Sequence, residues 1–359
     1  MTVLYIGNFG QNNKFKGSQA KKGISICNYL MSNDVRVITV NTEKLKKLQF
    51  PVICIKLLWG LIQANKIILS LNRNGLQFAN HIILKSITKY KDKQLYFITI
   101  GGWLASFIEK NKRTIKYFSN FEKIYVQAEE IKNHLSLLGL NNVKNMKNFR
   151  DFDKDNLLKV RDRILSINYK EKNQIKLVFF ALIRKGKGLE IIIEAIKEYN
   201  KKFNQTEFTL DVIGPIRPEY QKEFDDILKK NCNFFSYKGQ ITDQNKIYET
   251  LSSYDLMAFP TYYEGEGFPT VIVESFISGL PVLASDWKYN TEIIVNEYNG
   301  VLFETKNIVD LVEKLEWISL NKNKVLEMRL NCLEEAQRYH PDVILKPILE
   351  DMSINPSSS

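Results

Sequence analysis

Residues 261–286, TYYEGEGFPTVIVESFISGLPVLASD, carry the clearest pattern of secondary structure in the chain. The apolar run YDLMAFP before it predicts a β-strand, and the polar residues TYYEGEG predict the loop that follows. Pro269 is typical of a first helical turn, and Gly279 followed by Pro281 ends the helix before the strand PVLASD. The stretch therefore predicts a strand, loop, helix and second strand of a parallel sheet.

The same alternation runs along the whole chain. Strand-like runs such as VLYIGNF, VRVITVN and KIYVQA alternate with helical patterns such as SQAKKGISICNYLMS, and the rhythm restarts at KLVFFAL after a polar linker at 148–156. We expect an α/β chain with two Rossmann-like domains, 1–150 and 151–335, and a site in the cleft between the carboxyl ends of their strands. For 336–359 we expect a segment that packs back on the first domain and has a disordered end.

Composition restricts the class of protein. With 44% hydrophobic and 25% charged residues, the chain is typical of a soluble globular protein. Its four cysteines have no C-x-x-C spacing and only three histidines accompany them, which argues against a zinc site or a disulfide framework. The start, MTVLYIGNFG, predicts no signal peptide, so a cytoplasmic protein is expected.

The positive charge is confined to the first half. Residues 1–150 hold 24 Lys+Arg against 7 Asp+Glu, a net charge of +17, whereas residues 151–359 hold 27 against 33, a net charge of −6. Such a domain can lie peripherally on an anionic membrane surface, or its lysines can simply solvate one face. The chain lacks the familiar DNA- and RNA-binding signatures, so a nucleic-acid partner is not expected.

The most apolar segment is LQFPVICIKLLWGLIQANKIILSL, residues 48–71. Lysines, a proline and a glycine interrupt it, so it falls short of the roughly 18 apolar residues of a membrane span. We expect a buried strand and helix of the first domain. Attachment at a membrane interface stays open as the alternative.

One carboxylate, Glu266, lies in the loop at 265–269, and a second, Glu274, lies in the helical run that follows. The loop's backbone N–H groups lie beside a helix N-terminus, which is a favourable place for a diphosphate. Ionised Glu266 and Glu274 would then serve hydroxyl groups on either side of the diphosphate. With about 1.5 Å of rise per residue, Glu274 lies about 7 Å along the helix, which suits a hexose at one carboxylate and a ribose at the other. Ordinary surface acids are the alternative.

This region resembles the E-x7-E region of retaining GT-B glycosyltransferases, in particular bacterial cell-surface polysaccharide enzymes of the large family that also contains sucrose synthase. The residues in register are Glu266, Gly267, Phe268, Pro269, Glu274, Ser275, Gly279, Pro281 and Asp286. The resemblance continues at 286–294, 299–303, 187–195 and 210–216. It is strong in the C-terminal half and limited to architecture in the N-terminal half.

The resemblance implies a GT-B fold, with two Rossmann-like domains facing each other across a cleft. It also implies retaining transfer of a sugar from a UDP- or GDP-linked donor to a carbohydrate or lipid-linked glycan. Capsule, O-antigen or exopolysaccharide synthesis is the setting that such enzymes share. No metal or other cofactor is implied.

The resemblance also assigns roles to particular residues. Glu266 would hold donor sugar hydroxyls, helped by the backbone of Gly267 and Phe268. Glu274 would bind the ribose. Lys187 would neutralise the diphosphate leaving group, and Gly214 would let the backbone approach the nucleotide. The remaining donor-side residues would lie at the diphosphate, and they are Pro269, Thr270 and Val271.

One departure from the family pattern concerns an arginine. Aligning Lys187 and Gly188 with the family's lysine and glycine places Leu182 where an arginine is usual. Arg184 or Lys185 would then have to supply the second cation, and we favour Arg184, since a diphosphate leaving group without a metal needs concentrated positive charge. Solvated loop residues are the alternative.

The N-terminal loops match the family pattern less clearly than the C-terminal half does. Gly7, Gly10 and Gly17 follow the first strand and could approach donor phosphates, but the four lysines at 14–22 favour acceptor contact. Gly101 and Gly102 end another strand and are a second acceptor-side candidate. His81 lies in an apolar helical pattern and is expected to be a core residue.

The acidic cluster at 151–155 resembles a D-x-D metal motif, but it lies in the polar linker, and we predict no essential metal. Two other functions stay open. A nucleotide-sugar epimerase would need acid–base groups that this histidine-poor chain offers sparingly. A basic binding protein without catalysis would leave the loop at 265–269 unexplained.

Overall fold

A computed structural model describes residues 1–10, 18–42, 50–73, 76, 92–168, 173–230 and 233–355. They form two compact units. The N-terminal unit contains Met1–Asp151 and the described residues from Pro341 onward, and the C-terminal unit is Phe152–His340. Each unit holds a six-stranded parallel sheet with helices between its strands. The expected α/β class with two Rossmann-like domains is confirmed.

The N-terminal unit has the strand order β2-β1-β3-β4-β5-β6. Its strands are short apolar runs, and α1 covers the same residues that the sequence pattern predicts. The elements are β1 (Thr2–Gly7), α1 (Ser18–Ser32), β2 (Arg36–Asn41), α2 (Phe50–Gln63), β3 (Lys66–Ser70), β4 (Gln94–Ile98), α3 (Leu104–Lys110), α4 (Ile115–Phe118), β5 (Lys123–Val126), α5 (Glu129–Leu137) and β6 (Val143–Asn145).

The C-terminal unit has the strand order β12-β11-β10-β7-β8-β9. The chain builds outward from β7, then crosses back and continues from β10, so β7 and β10 are neighbours at the switch point where open α/β sheets bind ligands. The elements are α6 (Lys154–Leu165), β7 (Ile175–Phe180), α7 (Leu189–Phe203), β8 (Phe208–Ile213), α8 (Gln221–Lys230), β9 (Phe235–Tyr237), α9 (Gln244–Ser252), β10 (Leu256–Phe259), α10 (Thr270–Ile277), β11 (Val282–Ser285), β12 (Gly300–Phe303), α11 (Ile308–Leu320) and α12 (Lys322–Ala336).

The C-terminal segment belongs to the core of the N-terminal unit. Its helices are α13 (Pro341–Ile344) and α14 (Lys346–Asp351). The Tyr125 hydroxyl donates to the Asp351 carboxylate at 2.8 Å, and Lys144 Nζ lies 2.5 Å from the other carboxylate oxygen. Apolar side chains of the segment are buried beside Tyr96 and Tyr125, namely Leu345, Ile348, Leu349, Met352 and Ile354. Through these contacts the C-terminal segment packs against β4, β5 and β6.

Within the apolar segment, residues 52–71 are only partly buried. Strand β3 is buried along its whole length, as expected. Helix α2 is not, because Ile55 and Ile62 are 66% and 75% exposed. The prediction of a buried helix is therefore wrong for α2, since an apolar composition does not show whether the fold covers one face of a helix or both. Within the described ranges, each helix is too short or too polar to span a bilayer.

Candidate active site

The candidate site lies on two loops, one after β7 and one after β10. Gly188, at the N-terminus of α7, has φ +76°, and a Cβ there would lie 2.0 Å from the carbonyl oxygen of Pro260. Only glycine permits so close an approach in this conformation. The glycine thus lets the loop that carries Lys187 pack against the start of the loop that carries Glu266.

Lys187 and Glu266 form an ion pair at the centre of the site. Lys187 Nζ lies 2.6 Å from Glu266 Oε2, and the two side chains are only 13% and 12% exposed. The Thr261 hydroxyl donates to the same oxygen at 3.0 Å. A basic group and an acidic group, both largely withdrawn from solvent, are therefore fixed beside each other at the switch point of the sheet.

Arg184 lies beside this pair. Its Nη1 donates to the Tyr263 hydroxyl at 3.2 Å, and its Cζ lies 4.4 Å from the centre of the Tyr263 ring. Lys187 Nζ lies 5.7 Å from the same ring centre. Tyr263 thus joins both cations, whereas Lys185 is exposed. The position of Arg184 beside Tyr263 favours Arg184 over Lys185 as the second cation. A contact between Arg184 and a diphosphate stays a prediction.

Further contacts hold the loop after β10 in place. Trp287 Nε1 donates to the Tyr263 carbonyl at 3.0 Å, and the buried Ser285 hydroxyl donates to the Thr261 carbonyl at 2.6 Å. The Tyr262 hydroxyl donates to Glu190 at 2.6 Å. Burial, followed by this hydrogen bond, raises the pKa of Tyr262 to about 12. Tyr262 therefore stays a protonated donor near neutral pH.

Glu274 lies inside α10 and is 5% exposed. Its Oε1 accepts a hydrogen bond from Gln244 Nε2 at 3.3 Å. The alternative interpretation of Glu274 as an ordinary surface acid is wrong, because charged side chains are rarely buried without a partner or a role. Pro269 is the N-cap of α10 and makes no side-chain capping hydrogen bond.

The other donor-side residues have mixed surroundings. Gly267, Thr270 and Val271 are half-buried. The Phe268 ring is buried and lies 6.0 Å from the Tyr339 ring centre, so its side chain belongs to the core and only its backbone could serve a ligand.

Gly214 follows β8 and has φ +147°, and a Cβ there would lie 1.9 Å from the Ala181 carbonyl oxygen. The close approach of these two loops is by itself enough to require a glycine at position 214. A nucleotide contact at this position stays a prediction.

The N-terminal candidates lie at the carboxyl ends of their strands. Gly10 donates its N–H to Asn8 Oδ1 at 2.9 Å, after β1. Gly101 donates to Gln127 Oε1 at 2.9 Å, and Gly102 follows it after β4. Gln127 Nε2 in turn donates to Asn148 at 2.9 Å. Gly17 and His81 lie outside the described part of the chain, and so do two of the four lysines at 14–22, Lys14 and Lys16.

Lys22 does not belong to a solvent-facing basic loop. Its side chain is buried, and Nζ donates to Asn148 Oδ1 at 2.7 Å. Burial, followed by the charge of Arg150, lowers the pKa of Lys22 well below its usual range. The expectation of acceptor contact is therefore wrong for Lys22, while its neighbour Lys21 is exposed.

The acidic cluster at 151–155 begins a helix. The Asp153 carboxylate accepts the Asp155 N–H at 2.9 Å and is the N-cap of α6. The predicted linker at 148–156 therefore ends earlier than expected. In the part of the chain that the structure describes, no three His, Cys, Asp or Glu side chains gather as metal ligands would.

Sequence reasoning missed several residues that build the site. Thr261 and Tyr263 stand in the quoted stretch, and their place beside Glu266 was the available signal. Gln244 and Trp287 come from other elements, and no local pattern marks them.

Comparison with known proteins identifies the protein family. The family described as "Glycosyl transferases group 1" matches residues 160–339, half of the chain. N,N'-diacetylbacillosaminyl-diphospho-undecaprenol alpha-1,3-N-acetylgalactosaminyltransferase of Campylobacter jejuni is 30% identical over 120 residues, which cover 33% of this chain and 31% of that protein. UDP-Gal:alpha-D-GlcNAc-diphosphoundecaprenol alpha-1,3-galactosyltransferase of Escherichia coli is 29% identical over 123 residues, which cover 34% of this chain and 29% of that protein. The matches thus span about a third of these curated relatives.

Solved structures agree on the fold. The Anabaena protein HepE, in complex with UDP and glucose, aligns with 98% of this chain and 99% of its own, with a TM-score of 0.68 and 16% identity. At this identity the likeness shows the fold alone. It supports the GT-B class for a chain built from two Rossmann-like units.

Proposed function

The chain belongs to the group 1 glycosyl transferases, and on that premise we propose that it transfers a sugar from a nucleoside-diphosphate sugar to a glycan acceptor. The donor would be UDP- or GDP-linked, and the anomeric configuration would be retained. The observation that carries the proposal is the contact of Lys187 with Glu266 at the switch point, beside Arg184. The epimerase considered above finds no support in the family match.

We assign each donor group a binding partner among these residues. Lys187 and Arg184 would neutralise the diphosphate, helped by the backbone N–H groups of Thr270 and Val271 at the N-terminus of α10. Glu266 would accept hydrogen bonds from the sugar hydroxyls, and Glu274 from the ribose.

In the transfer step, the bond between the anomeric carbon and the diphosphate oxygen breaks. An acceptor oxygen bonds to the same face of that carbon, and its proton leaves with the diphosphate. Negative charge grows on the leaving group, where Lys187 and Arg184 stabilise it. Because two cations and a helix N-terminus serve the diphosphate, we propose that no metal or other cofactor is required.

The acceptor would be a carbohydrate or a lipid-linked glycan. The names of the Campylobacter jejuni and Escherichia coli relatives both include a sugar linked to diphospho-undecaprenol. Together with the +17 charge of residues 1–150, this supports work at an anionic cytoplasmic membrane surface, in capsule, O-antigen or exopolysaccharide synthesis. We assign Gly10, Gly17, Gly101 and Gly102 to the acceptor side.

A transfer assay tests the proposal. Pure protein is incubated with radiolabelled UDP- and GDP-sugars and a bacterial membrane extract. Label that enters glycan or lipid supports transfer, label on an altered nucleotide sugar supports isomerisation, and unchanged label supports neither. NMR coupling at the anomeric carbon of the product then tests retention, since an inverted product would refute that part of the proposal.

A further inference from the structure

Helix α2 carries an exposed apolar surface. Five of the fifteen large apolar side chains that are exposed in the described part of the chain lie on this one helix. We call them the α2 apolar face, and they are Val52, Ile55, Leu58, Trp59 and Ile62. Their exposed fractions range from 45% at Trp59 to 75% at Ile62. Scattered apolar residues are normal on a surface, but a contiguous group marks an interaction site.

The geometry of the helix makes this surface continuous. Successive helical residues are about 100° apart, so the exposed residues from Val52 to Gln63 fall within an arc of about 160°. Lys56 and Gln63 lie together at one edge of that arc. The opposite side faces the sheet, where a Cβ on Gly60 would lie 2.6 Å from the Leu4 side chain. Packing therefore covers one face of α2 and leaves the apolar face outward.

The charge of the neighbouring sequence favours an anionic partner. From residue 44 to residue 91 the sequence contains nine Lys and Arg and no Asp or Glu. Arg36 Cζ, on an exposed residue, lies 5.5 Å from the centre of the Trp59 ring. An apolar stripe with basic residues and a tryptophan beside it is the pattern of a helix that lies in the interface of an anionic bilayer.

We infer that the α2 apolar face inserts into the headgroup region of an anionic membrane and holds the N-terminal unit there. The inference rests on the proposed function in one respect. A lipid-linked acceptor would lie in a bilayer, and this makes a bilayer the expected partner. It differs from attraction by surface lysines alone, because apolar contact persists when salt screens the charges. Long-range attraction would bring the protein to the surface, and α2 would then retain it.

The test compares wild type with the double variant Ile55→Ser/Ile62→Ser of the full chain. Leu137→Ser/Leu320→Ser is the matched control, since Leu137 and Leu320 are 88% and 78% exposed and lie on other helices. Sedimentation with phosphatidylglycerol-containing vesicles is measured at low salt and at about 0.5 M salt, where screening is nearly complete. Thermal melting checks that each variant is folded, and UDP titration reports separately on the proposed donor site.

We expect wild type to bind anionic vesicles and to keep part of that binding at high salt. The Ile55→Ser/Ile62→Ser variant should bind about tenfold more weakly, while the control matches wild type. Vesicles should also shift tryptophan emission to the blue in wild type and not in Trp59→Phe. Failure of transfer or of UDP binding would count against the proposed function and leave this result standing.

Equal vesicle binding by wild type and Ile55→Ser/Ile62→Ser would overturn the inference. So would wild-type binding that salt abolishes without any change in Trp59 emission, because surface charge alone would then account for it. A wild-type dimer that the double variant converts to monomer, with no vesicle binding, would show that the α2 apolar face pairs two copies of the chain.

Discussion

The ammonium group of Lys187 lies 2.6 Å from the carboxylate of Glu266. In a nucleotide sugar, the anomeric carbon is bonded directly to the diphosphate, so groups that serve the sugar and the diphosphate must be neighbours. We propose Lys187 for the leaving group and Glu266 for the sugar hydroxyls. The two side chains are close enough to bind these adjacent parts of one donor. The buried carboxylate of Glu274 lies on the following helix, where we propose that it binds the ribose of the nucleotide.

Lys187→Ala should lower kcat by about 100-fold or more, because the growing charge of the diphosphate loses its principal partner. Arg184→Ala should have a smaller effect of about tenfold, and Lys185→Ala, on the exposed neighbour, should be nearly silent. Steady-state kinetics with a saturating donor measures all three. If Arg184→Ala were as silent as Lys185→Ala, Arg184 would not be the second cation.

Glu266→Gln should reduce turnover strongly while leaving affinity for free UDP or GDP nearly unchanged, because the nucleotide alone lacks the sugar that Glu266 would bind. Glu264→Gln is the matched control, since the Glu264 side chain is 82% exposed in the same loop. Calorimetric titration and initial rates give the two quantities. Parallel losses in nucleotide binding and turnover would contradict the assignment.

Glu274→Ala should weaken nucleotide binding by about 1.5 to 3 kcal/mol, because ribose hydroxyls lose a charged acceptor. Gln244→Ala should cause a smaller loss, since Gln244 donates a hydrogen bond to Glu274 and is expected to affect the nucleotide only through it. Melting curves separate this effect from loss of folding. Unchanged nucleotide affinity in folded Glu274→Ala would remove Glu274 from the site.

Lys21 and Lys22 are adjacent in sequence and should respond differently to the same change. Lys22→Ala should lower the free energy of unfolding by about 1 to 3 kcal/mol, because its buried hydrogen bond to Asn148 is lost. Lys21→Ala, at an exposed position, should change it by less than about 0.5 kcal/mol. Urea denaturation measures both, and equal stabilities would show that Lys22 is not held in the core.

Transfer activity should survive EDTA, because Lys187, Arg184 and the N-terminus of α10 are proposed to neutralise the diphosphate without a metal. Rates before and after chelation test this. Complete loss of activity that manganese or magnesium restores would instead assign a metal to the reaction.

The features that the sequence predicted are local ones. The α/β class, the course of α1 and the strand, loop and helix around Glu266 and Glu274 follow from periodicity and helix signals over short stretches. Gln244 was not predicted, because it reaches Glu274 from 30 residues away through the packing of two helices. Lys22 and α2 were misjudged for a related reason. Residue type did not show which face the tertiary fold covers, so a lysine is buried and an apolar stripe is exposed.

The proposed sugar transfer is best tested by comparing wild type and Glu266→Gln in one assay with radiolabelled donor and a lipid-linked acceptor. We predict that wild type moves label into the lipid fraction and releases an equal amount of nucleoside diphosphate. Glu266→Gln should bind the nucleotide as tightly as wild type while transferring label at least about tenfold more slowly. Equal transfer by both proteins would contradict the account, and so would label that stays on the nucleotide with wild type.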